Sequence, residues 1–213
     1  MRPLAISAVL VLGARAWAEP AADRALCLQP LGPALEAEAV TAVEQALGAV
    51  YALPVRRLPP EPLPGQAYHA PRRRYRAERL LEFLTPRLPP EGWRILGLTG
   101  VDISTTKDRY PDWGVLGLAD LDGPAGVISM FRCRKGALGE AHARTRLAKV
   151  AVHEVGHALG LPHCGARGCL MEDAAGKVAT LDREVDLCPR CRARLRALGR
   201  SIPEAPRLPW LRP

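Results

Sequence analysis

The sequence predicts a single α/β domain in which a twisted mixed sheet packs on helices. Its 213 residues suffice for one domain with a real core. Apolar residues make up 48% of the chain, too many for a disordered segment. Segments of helical period alternate with short aliphatic runs, in the order helix, strand, helix, strand, strand, strand, helix. The expected domain covers residues 19–200, between a leader at 1–18 and a Pro-rich tail at 201–213.

The leader reads "MRPLAISAVLVLGARAWA". Arg2 gives a short basic start, Leu4 to Gly13 is apolar but too short to span a bilayer, and Ala16-Trp17-Ala18 is a small-x-small cleavage pattern. These parts read as a secretory signal peptide that leaves Glu19 as the new N-terminus, and so predict an exported chain, periplasmic or secreted. The alternative is an apolar leader that stays attached to a cytoplasmic protein. Leu26 before Cys27 does not fit a lipoprotein site, and no later stretch is long and apolar enough for a membrane anchor.

Next, "ALEAEAVTAVEQALGAV" (34–50) sets Leu35, Ala39, Val43, Leu47 and Val50 on one helical face. "YALPVRRL" follows as a strand. Prolines make 59–71 a loop, since their density permits neither helix nor ladder. "RYRAERLLEFL" reads as a second helix, stopped near Pro86 and Pro89. "WRILGLTGVDIST", "GVLGLADL" and "GVISMFRCR" read as strands, the last two split by an Asp-Gly-Pro turn at 122–124. A long helix over about 141–159 buries Leu147, Ala151, Val155 and Ala158. "LDREVDLCPRCRARLRALGR" reads as a short loop and a last helix.

The formal net charge is +8, but the arginines are dispersed and no dense basic block carries interleaved aromatics. A solvated basic surface follows, and no nucleic-acid partner is expected. The basic helix "RCRARLRALGR" keeps a competing reading open, a zinc-stabilised binding protein that meets phosphate.

Three of the five histidines fall in "HEVGHALGLPH". His153 and His157, four apart on a helix, present both imidazoles on one face. Gly160 can adopt the left-handed turn that ends the helix, Pro162 prevents its continuation, and His163 can return as a third ligand. Three protein ligands leave a fourth position for water, the mark of a catalytic zinc. Glu154 flanks the site as a general base that takes a proton from water and passes it to a leaving amine. The matching reaction is amide hydrolysis without a covalent intermediate, on a peptide or protein substrate.

Cys164 and Cys169, then Cys188 and Cys191, form two close pairs across a moderate loop, which reads as a four-thiolate structural zinc. Two zinc ions per chain are expected, one catalytic and one structural. Two disulfides are the alternative in an exported chain. Cys27 and Cys133 remain, and could pair after export.

His153, Glu154, His157, Gly160 and His163, followed by Cys164, Cys169, Met171, Cys188 and Cys191, resemble the signature of the archaemetzincins, a branch of the metzincin zinc peptidases. The gap from Met171 to Cys188 is one residue shorter than the usual pattern. "YHAPRRRYRAERLLEFL", "GVDIS" and "GVISMFR" extend the resemblance over about 51–191. The resemblance implies a metzincin-like peptidase domain with the first two histidines on an active-site helix. It implies that Met171 lies beneath the zinc ligands, and that "GVISMFRCR" is an edge strand on which an extended peptide lies. It also leaves room for a weakly active peptidase relative. Many relatives look intracellular, so the signal peptide is a departure.

Overall fold

The computed structural model describes residues 25–211, so the predicted signal peptide lies outside the described residues. The chain builds two sheets. In the larger, strands β1 (Ala25–Leu31), β2 (Val55–Arg57), β5 (Gly92–Thr99), β8 (Gly117–Ala119) and β9 (Ala125–Ser129) take the order β2-β1-β5-β9-β8. All neighbours are parallel except β8, which runs antiparallel to β9. The smaller sheet has the order β3-β4-β6-β7, from β3 (Tyr68–His69), β4 (Arg74–Arg76), β6 (Ile103–Lys107) and β7 (Tyr110–Val115).

Helix α1 (Ala37–Tyr51) buries Ala39, Val43, Leu47 and Val50 as its 3.6-residue period requires, while Leu35 precedes the helix. It packs with α4 (Glu140–Ala158) against one face of the larger sheet. Helix α2 (Ala77–Leu84) covers the other face. Strand alternation divides the two cores. Leu26 and Leu28 point toward α1 and α4, and Cys27 and Leu31 toward α2. Cys133 lies in the core on the α1 side. Cys27 and Cys133 are therefore separate buried thiols, and the disulfide left open above does not form.

Several expectations change. Residues 25–31 form a central strand that the sequence reading did not identify. Arg74–Arg76 is extended and pairs with β3 and β6 before α2 begins, so the expected helix is shorter at its start. "WRILGLTGVDIST" breaks into β5 and β6, which belong to different sheets. The proline-rich loop contains β3. "GVISMFRCR" is strand only to Ser129. The Ser129 hydroxyl then accepts from the Phe131 N–H at 3.1 Å and starts the helical turn α3 (Met130–Cys133).

Strand β9 is also not an edge. Its five residues are buried between β5 and β8, so its backbone groups are already paired. The edge beside α4 is β8, from the segment "GVLGLADL".

After α4 come α5 (Thr180–Arg183) and α6 (Pro189–Ala197). The Pro-rich tail returns to the body: Leu208 is buried, and Trp210 Nε1 donates to the Val185 carbonyl at 2.8 Å.

Candidate active site

Helix α4 positions the first two histidines, and its end is pinned from several sides. Arg94, buried in β5, donates to the Ala158 carbonyl at 3.2 Å, and the Asp122 N–H donates to the His157 carbonyl at 2.9 Å. Gly160, at φ +91°, then turns the chain so that the Leu161 N–H reaches the Gly156 carbonyl at 2.9 Å. His163 follows on the returning segment.

The three imidazoles converge, with ring centroids 4.7 to 5.3 Å apart. His153 Nδ1 lies 2.8 Å from the Leu170 carbonyl, and His157 Nδ1 lies 2.7 Å from the Leu161 carbonyl. A carbonyl only accepts, so both Nδ1 atoms carry the proton. Both Nε2 atoms are then bare lone pairs, and they face each other at 3.1 Å. Two lone pairs at that distance repel unless a cation lies between them. A tetrahedral ion bound at about 2.0 Å would set its nitrogen ligands about 3.3 Å apart. The histidine set therefore fits zinc. Burial, with His157 alongside, pushes His153 down to about 3, so it stays neutral as a ligand must.

Glu154 is on the same turn of α4, 7% exposed, and burial pushes its carboxyl up to about 8. It faces β8, where Gly117 leaves it room. Met171 is fully buried against α4, where a Cβ on Gly156 would meet its sulfur.

The four cysteines also meet, each offering a sulfur to one common point. Cys164 Sγ and Cys188 Sγ are 3.6 Å apart, and Cys169 Sγ and Cys191 Sγ 3.7 Å. These are not disulfide distances, and all four thiols are free. A tetrahedral ion with bonds of about 2.3 Å would space its sulfurs about 3.8 Å apart, so this set also fits zinc. Backbone N–H groups of Ala166, Cys188 and Met171 point at the sulfurs, as thiolates require. Cys169 is pulled down to about 5 by its contact with Cys191 and then, against the effect of burial, by the Cys188 and Met171 N–H groups.

The two sets share a frame. His163 and Cys164 are consecutive, the Cys164 N–H donates to the Met171 carbonyl at 2.7 Å, and the carbonyl that orients His153 belongs to Leu170, next to Cys169.

A cleft of about 520 Å³ opens over the histidines, between β8 and the loop after Met171, with Trp113 of β7 against that loop at Gly176. Lys149, one turn before His153, donates from Nζ to the carbonyls of Leu181 and Glu184, both at 2.7 Å, and so fixes the wall built by α5. Arg146 and His142 hold Asp182 of the same wall at 2.7 Å. The sequence reading missed Lys149, Arg146, Asp182 and Glu184. A lysine on the buried face of an amphipathic helix was the available signal.

The model of peptidase family M54 matches residues 56–197. An archaemetzincin of Archaeoglobus fulgidus is 33% identical over 170 residues, covering 79% of this chain and 97% of that protein. An archaemetzincin of Haloarcula marismortui is 32% identical, covering 76% and 94%. Among solved structures, archaemetzincin from Methanopyrus kandleri superposes with a TM-score of 0.70 at 25% identity, covering 85% of this chain and 99% of that one. The A. fulgidus archaemetzincin complexed with malonate gives 0.66 at 31% identity, covering 79% and 98%.

Proposed function

The chain belongs to peptidase family M54, the archaemetzincin zinc metallopeptidases, and we propose that it hydrolyses peptide bonds with His153, His157 and His163 holding zinc and Glu154 moving the proton. The convergence of two bare Nε2 atoms at 3.1 Å carries this reading, because only a shared cation relieves it. Zinc, when bound there, polarises a carbonyl oxygen and lowers the pKa of water to about 7.

The chain's own residues do the rest. The free edge of β8 can pair with an extended peptide and align its backbone over the histidines. Glu154 takes a proton from the attacking water on its carboxylate, then delivers it to the nitrogen of the leaving amine. Cys164, Cys169, Cys188 and Cys191 would hold a second zinc with no position for water. That site ties the loop after His163 to α6 and takes no part in hydrolysis.

The test is Glu154→Gln together with metal analysis. We expect two zincs per chain in both forms and a fall in peptide turnover of about a hundredfold or more. Unchanged turnover would end the assignment of Glu154, and one zinc per chain would end the two-site reading. The leader-like N-terminus supports an exported enzyme, which a secreted product beginning at Glu19 would verify.

A further inference from the structure

Three carboxylates line the cleft. Asp173 is half exposed, and Glu154 belongs to the histidine motif. The third, Glu184, is 2% exposed, and neither of its carboxylate oxygens has a hydrogen-bond partner. An unpaired buried carboxylate is costly and calls for a reason.

The backbone here does not need that side chain. Lys149 holds the Glu184 carbonyl, and Trp210 holds the carbonyl of Val185. The Val185 N–H reaches the Gly168 carbonyl at 2.9 Å. Lys149 gives its hydrogen bonds to the Leu181 and Glu184 carbonyls and makes none to the carboxylate. The cleft that Glu184 lines is also lined by the apolar side chains of Leu181, three residues before it, and Val150, which follows Lys149 on α4. An apolar lining together with an unpaired carboxylate suits an alkyl stem ending in a cation.

We propose that Glu184 is a specificity-determining residue that gives the cleft a subsite for a cationic group of the peptide. The cation is a lysine or arginine side chain, or the free α-amine of the peptide. Burial pushes the carboxyl up to about 8 while Lys149 draws it back, so an entering cation would draw out the carboxylate form.

This inference rests on the peptidase reading, and the experiment separates the two. Quenched-fluorescent peptides carry lysine or norleucine at each position in turn, with free or acetylated N-termini. Norleucine keeps an alkyl stem and lacks the ammonium. With the zinc-loaded wild type, we expect loss of the decisive cation to lower kcat/KM by about tenfold or more. In Glu184→Gln that ratio should approach one. If the side chain is recognised, the lysine-to-norleucine change causes the loss. If the amine is recognised, acetylation does. Wild-type rates indifferent to both changes, or a ratio that Glu184→Gln leaves intact, overturn the proposal. The wild-type comparison stands even if that variant does not fold.

Calorimetric binding of the same peptides to the zinc-loaded Glu154→Gln chain supplies a readout without turnover. Binding that ignores the cation, or no binding, overturns the subsite. Cation-dependent binding with no cleavage by the wild type overturns the peptidase reading alone.

Discussion

Gly117 on the edge strand lies directly against Glu154 on the helix: a methyl group built on Gly117 would sit 2.6 Å from both Cγ and Oε1 of Glu154. The strand proposed to receive the peptide therefore also sets where the proposed base stands. Gly117→Ala should displace the Glu154 carboxylate while leaving His153, His157 and His163 in place. We expect zinc content to be retained and kcat to fall by about tenfold to a hundredfold, read from steady-state kinetics beside metal analysis. Retained kcat would show that Glu154 does not need its present position.

Losing the thiolate site should be felt at the histidines. His163 precedes Cys164, and the Leu170 carbonyl that orients His153 follows Cys169. Cys188→Ser should remove one zinc and also weaken the histidine zinc about tenfold or more, because the groups that orient those ligands lose their anchor. Competition with a chromogenic chelator measures both sites. A histidine site of unchanged affinity would mean that the loop holds its shape without the thiolates.

Gly156 should tolerate no side chain. A Cβ there would lie 2.4 Å from Met171 Sδ and 2.9 Å from the Tyr51 hydroxyl, which itself donates to the Val152 carbonyl at 2.7 Å. Gly156→Ala should cost about 1–3 kcal/mol through overpacking, seen as a lower denaturation midpoint at saturating zinc. A midpoint equal to that of the wild type would show that Met171 can move aside.

Glu184 should give stability a pH dependence of known sign. Burial raises its carboxyl from 4.5 to about 8 in the folded chain, helped by the negative charges of Glu172 and Cys169 and opposed by Lys149 and Arg183. Between those values the folded chain holds a proton that the unfolded chain has released. The stabilisation is full below about pH 4.5 and is lost as pH rises through about 8. Relative to Glu184→Gln, the wild-type melting temperature should therefore fall between about pH 5 and about pH 8. A constant difference across that range would place the folded carboxyl at its ordinary value. The comparison between two forms with identical cysteines cancels the pH dependence of zinc binding.

The seven proposed metal ligands were legible because ligation by His and Cys imposes short local spacings, and the first two histidines lie four apart on the one helix α4. The strands were harder to read. Residues 25–31 gain their partners from β2 and β5, far along the chain, and β9 looks like an edge until β8 is seen to cover it. Arg74–Arg76 has the composition of a helix start, but pairing with β3 and β6 wins over local propensity. The Lys149–Glu184 contact joins residues 35 positions apart and leaves no periodic trace.

Trp210 is hydrogen-bonded to the wall of the cleft, at the residue next to Glu184, and its ring lies 5.7 Å from Lys149 Nζ. The last described turn is thus a strut for the active-site wall. A purification handle fused behind it would hang from that strut, beside the wall that carries the proposed subsite. Kinetic work on this enzyme should start from an untagged carboxyl end, with any fusion there treated as a mutation of the active site.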